Sequence, residues 1–223
     1  MNKTTKSAEI QEYDARYASG GYSGGRAGYK NNFVRFMRES LRRLPGGRPA
    51  ILDVGCGDGY FTEELAKHGE VTATDFSEAA LQRARERLPA VNFFVHDLGQ
   101  PFPVASDTFD AVWCSEVLEH LFAPAFATGE VYRMLKPGGI FMITVPYHGL
   151  LKNLGIALFG FDRHYDPEYP HIRFFTRNTL RQILVKHGFA IEFMGSCGSE
   201  LGMRDWFVPT NILCVARKPK TGK

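Results

Sequence analysis

The sequence has no Cys-x-x-Cys pair, no internal repeat and no apolar run long enough to cross a bilayer. Its four cysteines, Cys56, Cys114, Cys197 and Cys214, are scattered, three of them in apolar, strand-like runs. That excludes a cysteine-based zinc site and a disulfide framework, and it predicts a reducing, cytoplasmic setting. The longest apolar stretch, GLLKNLGIALFGF at 149–161, is interrupted by Lys152 and Asn153. It falls far short of the roughly 20 residues that a spanning helix needs. The opening MNKTTKSAEIQEYDARY lacks the apolar core of a secretory signal. Charge of one sign is also scarce: 27 basic residues face 24 acidic ones, for a net +3. No basic stripe interleaved with aromatics is evident, which argues against a nucleic-acid partner without excluding one. What remains is an ordinary globular composition, 44% apolar and 23% charged, in a chain long enough for one domain with a full core.

The first 30 residues are polar and glycine-rich, and a helical apolar spacing follows in NFVRFMRESLRRL (32–44). From residue 50 strands and helices alternate. AILDV, EVTATD, VNFFVHD, FDAVWCS and GGIFMITVP read as five strands. YFTEELAKHG, SEAALQRARERL with Ser77 as N-cap, and PAFATGEVYRMLK read as helices between them. Strands alternating with helices of this length predict right-handed βαβ units, hence a doubly wound α/β domain whose mostly parallel sheet is covered on both faces. The end differs. After the helix TLRQILVKHG come FAIEFMGSCG and TNILCVARK, with only a loop between them, which predicts an antiparallel hairpin closing one edge of a seven-stranded sheet. The segment 147–175 is too long for a plain connection and rich in aromatics and histidines, so it is expected to form a lid or substrate wall. In particular Phe159, Phe161, Tyr165 and Tyr169 would line an apolar pocket or form the core of a small subdomain. The domain proper is then 32–223, with residues 1–31 as a separate N-terminal segment.

The first strand runs into ILDVGCGDGYF, a turn with glycines at 55, 57 and 59. A dinucleotide fingerprint spaces its glycines differently and presents a helix N-terminus to a pyrophosphate. Here Asp53 precedes the turn and Asp58 is placed to cap the first helical amides. Acidic groups there repel phosphate and attract a cation.

With these residues the sequence resembles the S-adenosylmethionine-dependent methyltransferases of the Rossmann-like class, in the type 11/12 group. In that family Asp/Glu-x-Gly-x-Gly-x-Gly follows the first strand, matching Asp53, Gly55, Gly57 and Gly59. The cofactor carries a sulfonium and an ammonium group and no phosphate. The resemblance implies that Asp75, ending the second strand, accepts the ribose hydroxyls and that Phe76 lies against the adenine. It implies that Asp97 takes the adenine amino group and the Leu98 amide its ring nitrogen. Ser115, in FDAVWCSEVLEHL, belongs to the family's fourth-strand motif. N-terminal segments of related enzymes close over the cofactor, which gives Tyr13 and Tyr17 that role, with ordinary packing as the alternative.

Ser115-Glu116-Val117-Leu118-Glu119-His120 reads Glu-x-x-Glu-His, and on a helix Glu116, Glu119 and His120 would share one face. Two carboxylates and an imidazole so placed can hold Mg²⁺ or Mn²⁺. The motif is similar to that of ubiquinone-biosynthesis O-methyltransferases and small-RNA 3′-terminal 2′-O-methyltransferases. The latter add a histidine before an aromatic stretch, a position that His171 in PHIRFFT would fill. The alternative is a metal-free site in which Glu116 caps the helix and His120 acts as a base. The expected function is methylation of a small-molecule acceptor, at oxygen, catalysed by His120 and Glu116 or by a cation on Glu116, Glu119, His120 and His171. The alternatives are a metal-dependent RNA methyltransferase and a non-catalytic cofactor-binding protein. Acceptor identity and oligomeric state stay open.

Overall fold

The computed structural model describes residues 27–164, 171–198 and 209–220. The expected N-terminal closure, with Tyr13 and Tyr17, and the expected packing of Tyr165 and Tyr169 lie outside them. The chain order is α1 (Ala27–Leu41), β1 (Ala50–Val54), α2 (Tyr60–Leu65), β2 (Glu70–Asp75), α3 (Glu78–Arg87), β3 (Asn92–Val95) and β4 (Phe109–Ser115). A 3-10 turn (Leu118–His120) precedes α4 (Pro124–Met134) and β5 (Leu135–Pro146). After these come α5 (Leu150–Phe159), α6 (Phe161–His164), α7 (Arg177–Lys186), β6 (Ala190–Cys197) and β7 (Asn211–Arg217).

The strands form one seven-stranded sheet in the order β3-β2-β1-β4-β5-β7-β6. The first five are parallel, and β7 pairs antiparallel with both β5 and β6. Alternate side chains of each strand enter opposite layers, as the pleat requires. Leu52 and Val54 of β1 with Val112 and Cys114 of β4 join Val131 of α4 and Leu180 of α7 on one face. Ile51, Ala111 and Trp113 join Phe33 and Met37 of α1 and Leu81 of α3 on the other. Burial on both sides is why these strands read as unbroken apolar runs. Trp113 is fully buried, 6.1 Å from the Phe36 ring and 5.4 Å from Phe61.

The Ser77 side chain caps α3 by accepting the Ala80 amide at 3.1 Å, as expected. Its replacement by alanine is expected to lower unfolding stability by about 1 kcal/mol, read from a urea titration.

Four local expectations are corrected. Helix α2 stops at Leu65, because residues 66–69 pass through turns before β2. Asp58 does not cap it: the N-cap is Gly59, with no side-chain cap bond, and Asp58 faces Arg87 at 3.9 Å. The Glu-x-x-Glu-His segment is no α-helix. Glu116 takes φ +55°, and only Leu118–His120 form a short 3-10 turn. Among its described residues, segment 147–175 contains two helices, but α5 buries none of its residues, and Phe159 and Phe161 are 89% and 57% exposed. Those two rings therefore do not form the core of a small subdomain.

Candidate functional site

Strand order reverses between β1 and β4, so the carboxyl ends of β1, β2 and β4 open onto one crevice, the usual ligand position in open α/β sheets. The glycine turn is held there by backbone bonds, with Gly55 and Cys56 donating to Thr74 O at 2.8 and 3.0 Å. Gly55, Gly57 and Gly59 all have positive φ. Gly55 is also spatially required, and Gly59 is tightly packed. A Cβ on Gly55 would lie 2.4 Å from Val117 Cγ2, and one on Gly59 would meet Ala84 Cβ at 3.2 Å. Gly55→Ala combines that overlap with a left-handed backbone, so a loss of about 2–3 kcal/mol is expected in thermal unfolding.

Asp75 ties the crevice together. Its Oδ2 accepts the Gly57 amide at 2.9 Å and its Oδ1 the Ser77 amide at 3.0 Å. Asp53 is 1% exposed and accepts from Thr62 Oγ1 at 2.6 Å. Burial pushes its carboxyl up to about 7, against the Thr62 hydrogen bond, and the charge of Asp75 adds to the rise. Two enclosed acids in one crevice leave it short of positive charge. Asp97 lies two residues beyond β3 and accepts the Gly99 amide at 2.9 Å, while the Leu98 side chain packs into the core. Phe76 is half-buried beside Asp75.

Beyond β4 the two glutamates part. Glu116 bends the chain with its left-handed backbone, a costly state for a side chain of this kind. Its carboxylate accepts from Thr144 Oγ1 and Asn211 Nδ2, each at 2.9 Å, and from no helix amide. Ser115 Oγ shares the Thr144 hydroxyl at 2.8 Å. Glu116 is pushed up to about 7 by burial, which these hydrogen bonds and Lys152 oppose.

Glu119 turns the other way. It is 0% exposed, and among the described residues neither carboxylate oxygen has a hydrogen-bond partner. His120 Nε2 and His171 Nε2 each lie 3.9 Å from its Oε1, and the two imidazoles meet edge to face at 4.7 Å between centroids. His171 is brought there because Ile172 and Arg173 both donate their amides to the Glu119 carbonyl at 3.0 Å. Burial, and then the charge of Glu116, push the Glu119 carboxyl well up. Burial first, then neighbouring histidines and Lys152, pull His171 down to about 3. Glu119, His120 and His171 present one ligand atom each within 4.8 Å of one another. Three of the four residues expected to hold a metal thus converge, and Glu116 is engaged elsewhere.

Sequence reasoning missed Thr62, one helical segment on from Asp53, and Thr144 and Asn211, whose partner Glu116 is distant in the chain. It also missed Lys152, although a single lysine in an apolar run was a usable signal. Lys152 donates to Tyr147 O at 3.1 Å and acts on Glu116, His148, His164 and His171 through its charge.

Residues 52–143 match a family profile described as a methyltransferase domain. A malonyl-[acyl-carrier protein] O-methyltransferase of Enterobacter lignolyticus is 35% identical over 157 residues, 68% of this chain and 60% of that protein. A ubiquinone biosynthesis O-methyltransferase of Alkalilimnicola ehrlichii is 44% identical over 111 residues, 47% of this chain and 43% of that one. The chain therefore spans between 43% and 60% of the length of these two curated relatives. Among solved structures, the Haloferax volcanii methyltransferase in complex with the Trm112 methyltransferase activator matches with a TM-score of 0.70 at 22% identity, over 93% of this chain and 98% of that one. The N-methyltransferase NodS of Bradyrhizobium japonicum, in complex with S-adenosyl-L-homocysteine, matches at 0.66 and 22%, over 88% and 90%. At such identities these structures show a common fold.

Proposed function

We propose that this chain, whose residues 52–143 match a methyltransferase-domain profile, moves a methyl group from S-adenosylmethionine to an oxygen atom of a small-molecule acceptor. The observation that carries the reading is Glu119, enclosed between two imidazoles with neither oxygen hydrogen-bonded among the described residues, at the end of the same sheet that presents Asp53 and Asp75.

The residues present fit the cofactor. The glycine turn leaves room for close backbone approach, and the acids of the crevice favour a cation over a pyrophosphate. Asp53, Gly55, Gly57 and Gly59 would hold its methionine part, Asp75 and Phe76 its ribose and adenine, and Asp97 and the Leu98 amide the base edge. Ser115 lies at the mouth of the same crevice. Bound there, S-adenosylmethionine supplies an electrophilic methyl group. The protein has to align the acceptor oxygen and remove its proton; alignment is worth roughly 7–11 kcal/mol in well-ordered intramolecular cases.

Glu119, His120 and His171 fit a divalent cation, which would lower the pKa of a bound hydroxyl. Two imidazoles with one carboxylate suit Mn²⁺ or another first-row metal better than Mg²⁺. A histidine held near pH 3 accepts protons poorly at neutrality but serves well as a neutral ligand. This favours ligation over general-base chemistry at His171, and leaves His120, 30% exposed at the side chain, as the base candidate. The names of the two curated relatives, both O-methyltransferases, support oxygen as the acceptor atom. The reading takes the protein to act in the cytoplasm. Among the described residues no helix is long and apolar enough to span a membrane.

Calorimetry with S-adenosylmethionine and with NAD tests the cofactor. Binding of the first alone is expected, and NAD uptake without S-adenosylmethionine uptake would sink the proposal. Asp75→Asn is expected to weaken S-adenosylmethionine about tenfold, through the loss of a charged hydrogen-bond acceptor.

A further inference from the structure

Lys152 is the one charged residue of α5, and it is half-buried. Its hydrogen bond goes to a neutral group, Tyr147 O, and among the described residues it has no carboxylate within ion-pair distance. The acid whose charge reaches it, Glu116, already accepts from Thr144 and Asn211. Beside it stands His148, 4% exposed, whose Nδ1 has no well-aligned hydrogen-bond partner among the described residues, although the Asn153 side chain, which donates to His148 O at 3.2 Å, lies against it and acts on the ring. The His148 ring packs 5.5 Å from His164 and edge to face with Phe174 at 4.8 Å. Among the described residues, a half-buried cation without a contacting anion and an enclosed ring nitrogen without a well-aligned partner are both costly, and here they share one place.

One acidic oxygen pair would satisfy both groups. We infer that Lys152 and His148 form the recognition point for a carboxylate on the methyl acceptor, with the aromatic edge of Phe174 beside it. The inference rests on the proposed methyl transfer and names the acceptor class for that site. A carboxylate is favoured over a phosphate because Lys152 is a single cation, which one negative charge balances and a dianion overfills. Lysine pairs as a point charge, whereas phosphate recognition leans on arginine forks or several donors. The acid group would anchor the acceptor between segment 147–175 and the acids beyond β4. That leaves the opposite end of the molecule free to carry the reacting oxygen.

The test uses the full chain saturated with S-adenosylhomocysteine, titrated by calorimetry with benzoate, phenylacetate and hexanoate, each against its own amide. At least one acid is expected to bind tenfold or more tightly than its amide. That preference should vanish in Lys152→Met and Lys152→Gln and persist in Lys152→Arg, with S-adenosylhomocysteine affinity within twofold throughout. If no acid outbinds its amide in the unaltered protein, the inference is wrong, whether or not the variants fold. It is equally wrong if the preference survives in the folded Lys152→Met or Lys152→Gln protein. Failure of S-adenosylhomocysteine itself to bind would instead bring down the methyl-transfer reading and this inference with it, so the two failures are told apart in one experiment.

Discussion

Glu119→Gln is expected to lower methyl transfer by a hundredfold or more while leaving the protein at least as stable as before. Glutamine has the same shape and no charge. Enclosure and the charge of Glu116 already push the Glu119 carboxyl toward its neutral form, so the fold loses nothing when the charge is removed. The sign follows from linkage. A carboxyl raised above its unfolded value, about 4.3 for glutamate, contributes stability below that pH and loses it as the pH climbs through the folded value. The variant should therefore match the unaltered protein at pH 4 and exceed it at pH 8. Activity should move the other way, because a carboxamide cannot supply the anionic ligand that would set a divalent cation beside His120 and His171. Losses of ~10²–10⁴ are usual when a group that handles the reacting proton is removed. Mn²⁺ should raise the melting temperature of the unaltered protein and leave that of the variant unchanged, and EDTA should abolish the difference. Activity that survives both chelation and Glu119→Gln would remove the cation from the mechanism and return the proton to His120.

Asp53→Asn should also separate stability from function. The Asp53 carboxyl is held at about 7 by burial, with Asp75 adding to it. Its unfolded value is about 3.9, so ionising it within the fold costs up to ~4 kcal/mol at pH 8 and ~1.5 kcal/mol at pH 5. The stability this group contributes is complete below about pH 4 and is lost as the pH rises toward 7. Urea titrations of the ligand-free protein should show the unaltered chain losing up to ~3 kcal/mol from pH 5 to pH 8 relative to Asp53→Asn. Thr62 can still donate to the asparagine oxygen, so the local hydrogen bond is kept. Affinity for the cationic cofactor should fall in the same variant, because the crevice loses one of its two enclosed negative charges. Parallel pH profiles for the two proteins would show that Asp53 is not ionised against its surroundings, and the charge argument for the crevice would lose its main support.

Much of the scaffold was readable before any coordinates. The strands 50–54, 70–75 and 109–115 appear at their expected limits, since residues buried on both sides must be apolar and turns must punctuate them. Gly55 is required by, and Gly59 tightly packed through, contacts with Val117 and Ala84 that the sequence does not display, but positive φ at alternate positions of one turn leaves little choice of residue. The site was less readable. Glu116, Glu119 and His120 look alike at helical spacing, and the helix is absent: Glu116 takes a left-handed backbone and delivers its carboxylate to Thr144 and Asn211.

The amino-acid order alone determined the α/β alternation, the glycine turn and the placing of acids near successive strand ends, because these depend on local periodicity and on backbone sterics. Only the packed chain decided that Glu119 rather than Glu116 meets His171, 52 residues away by number, and that Lys152 reaches the histidines of its own insert. Those outcomes depend on which segments the sheet brings together and on how deeply each charge is enclosed, and both are properties of the assembled core.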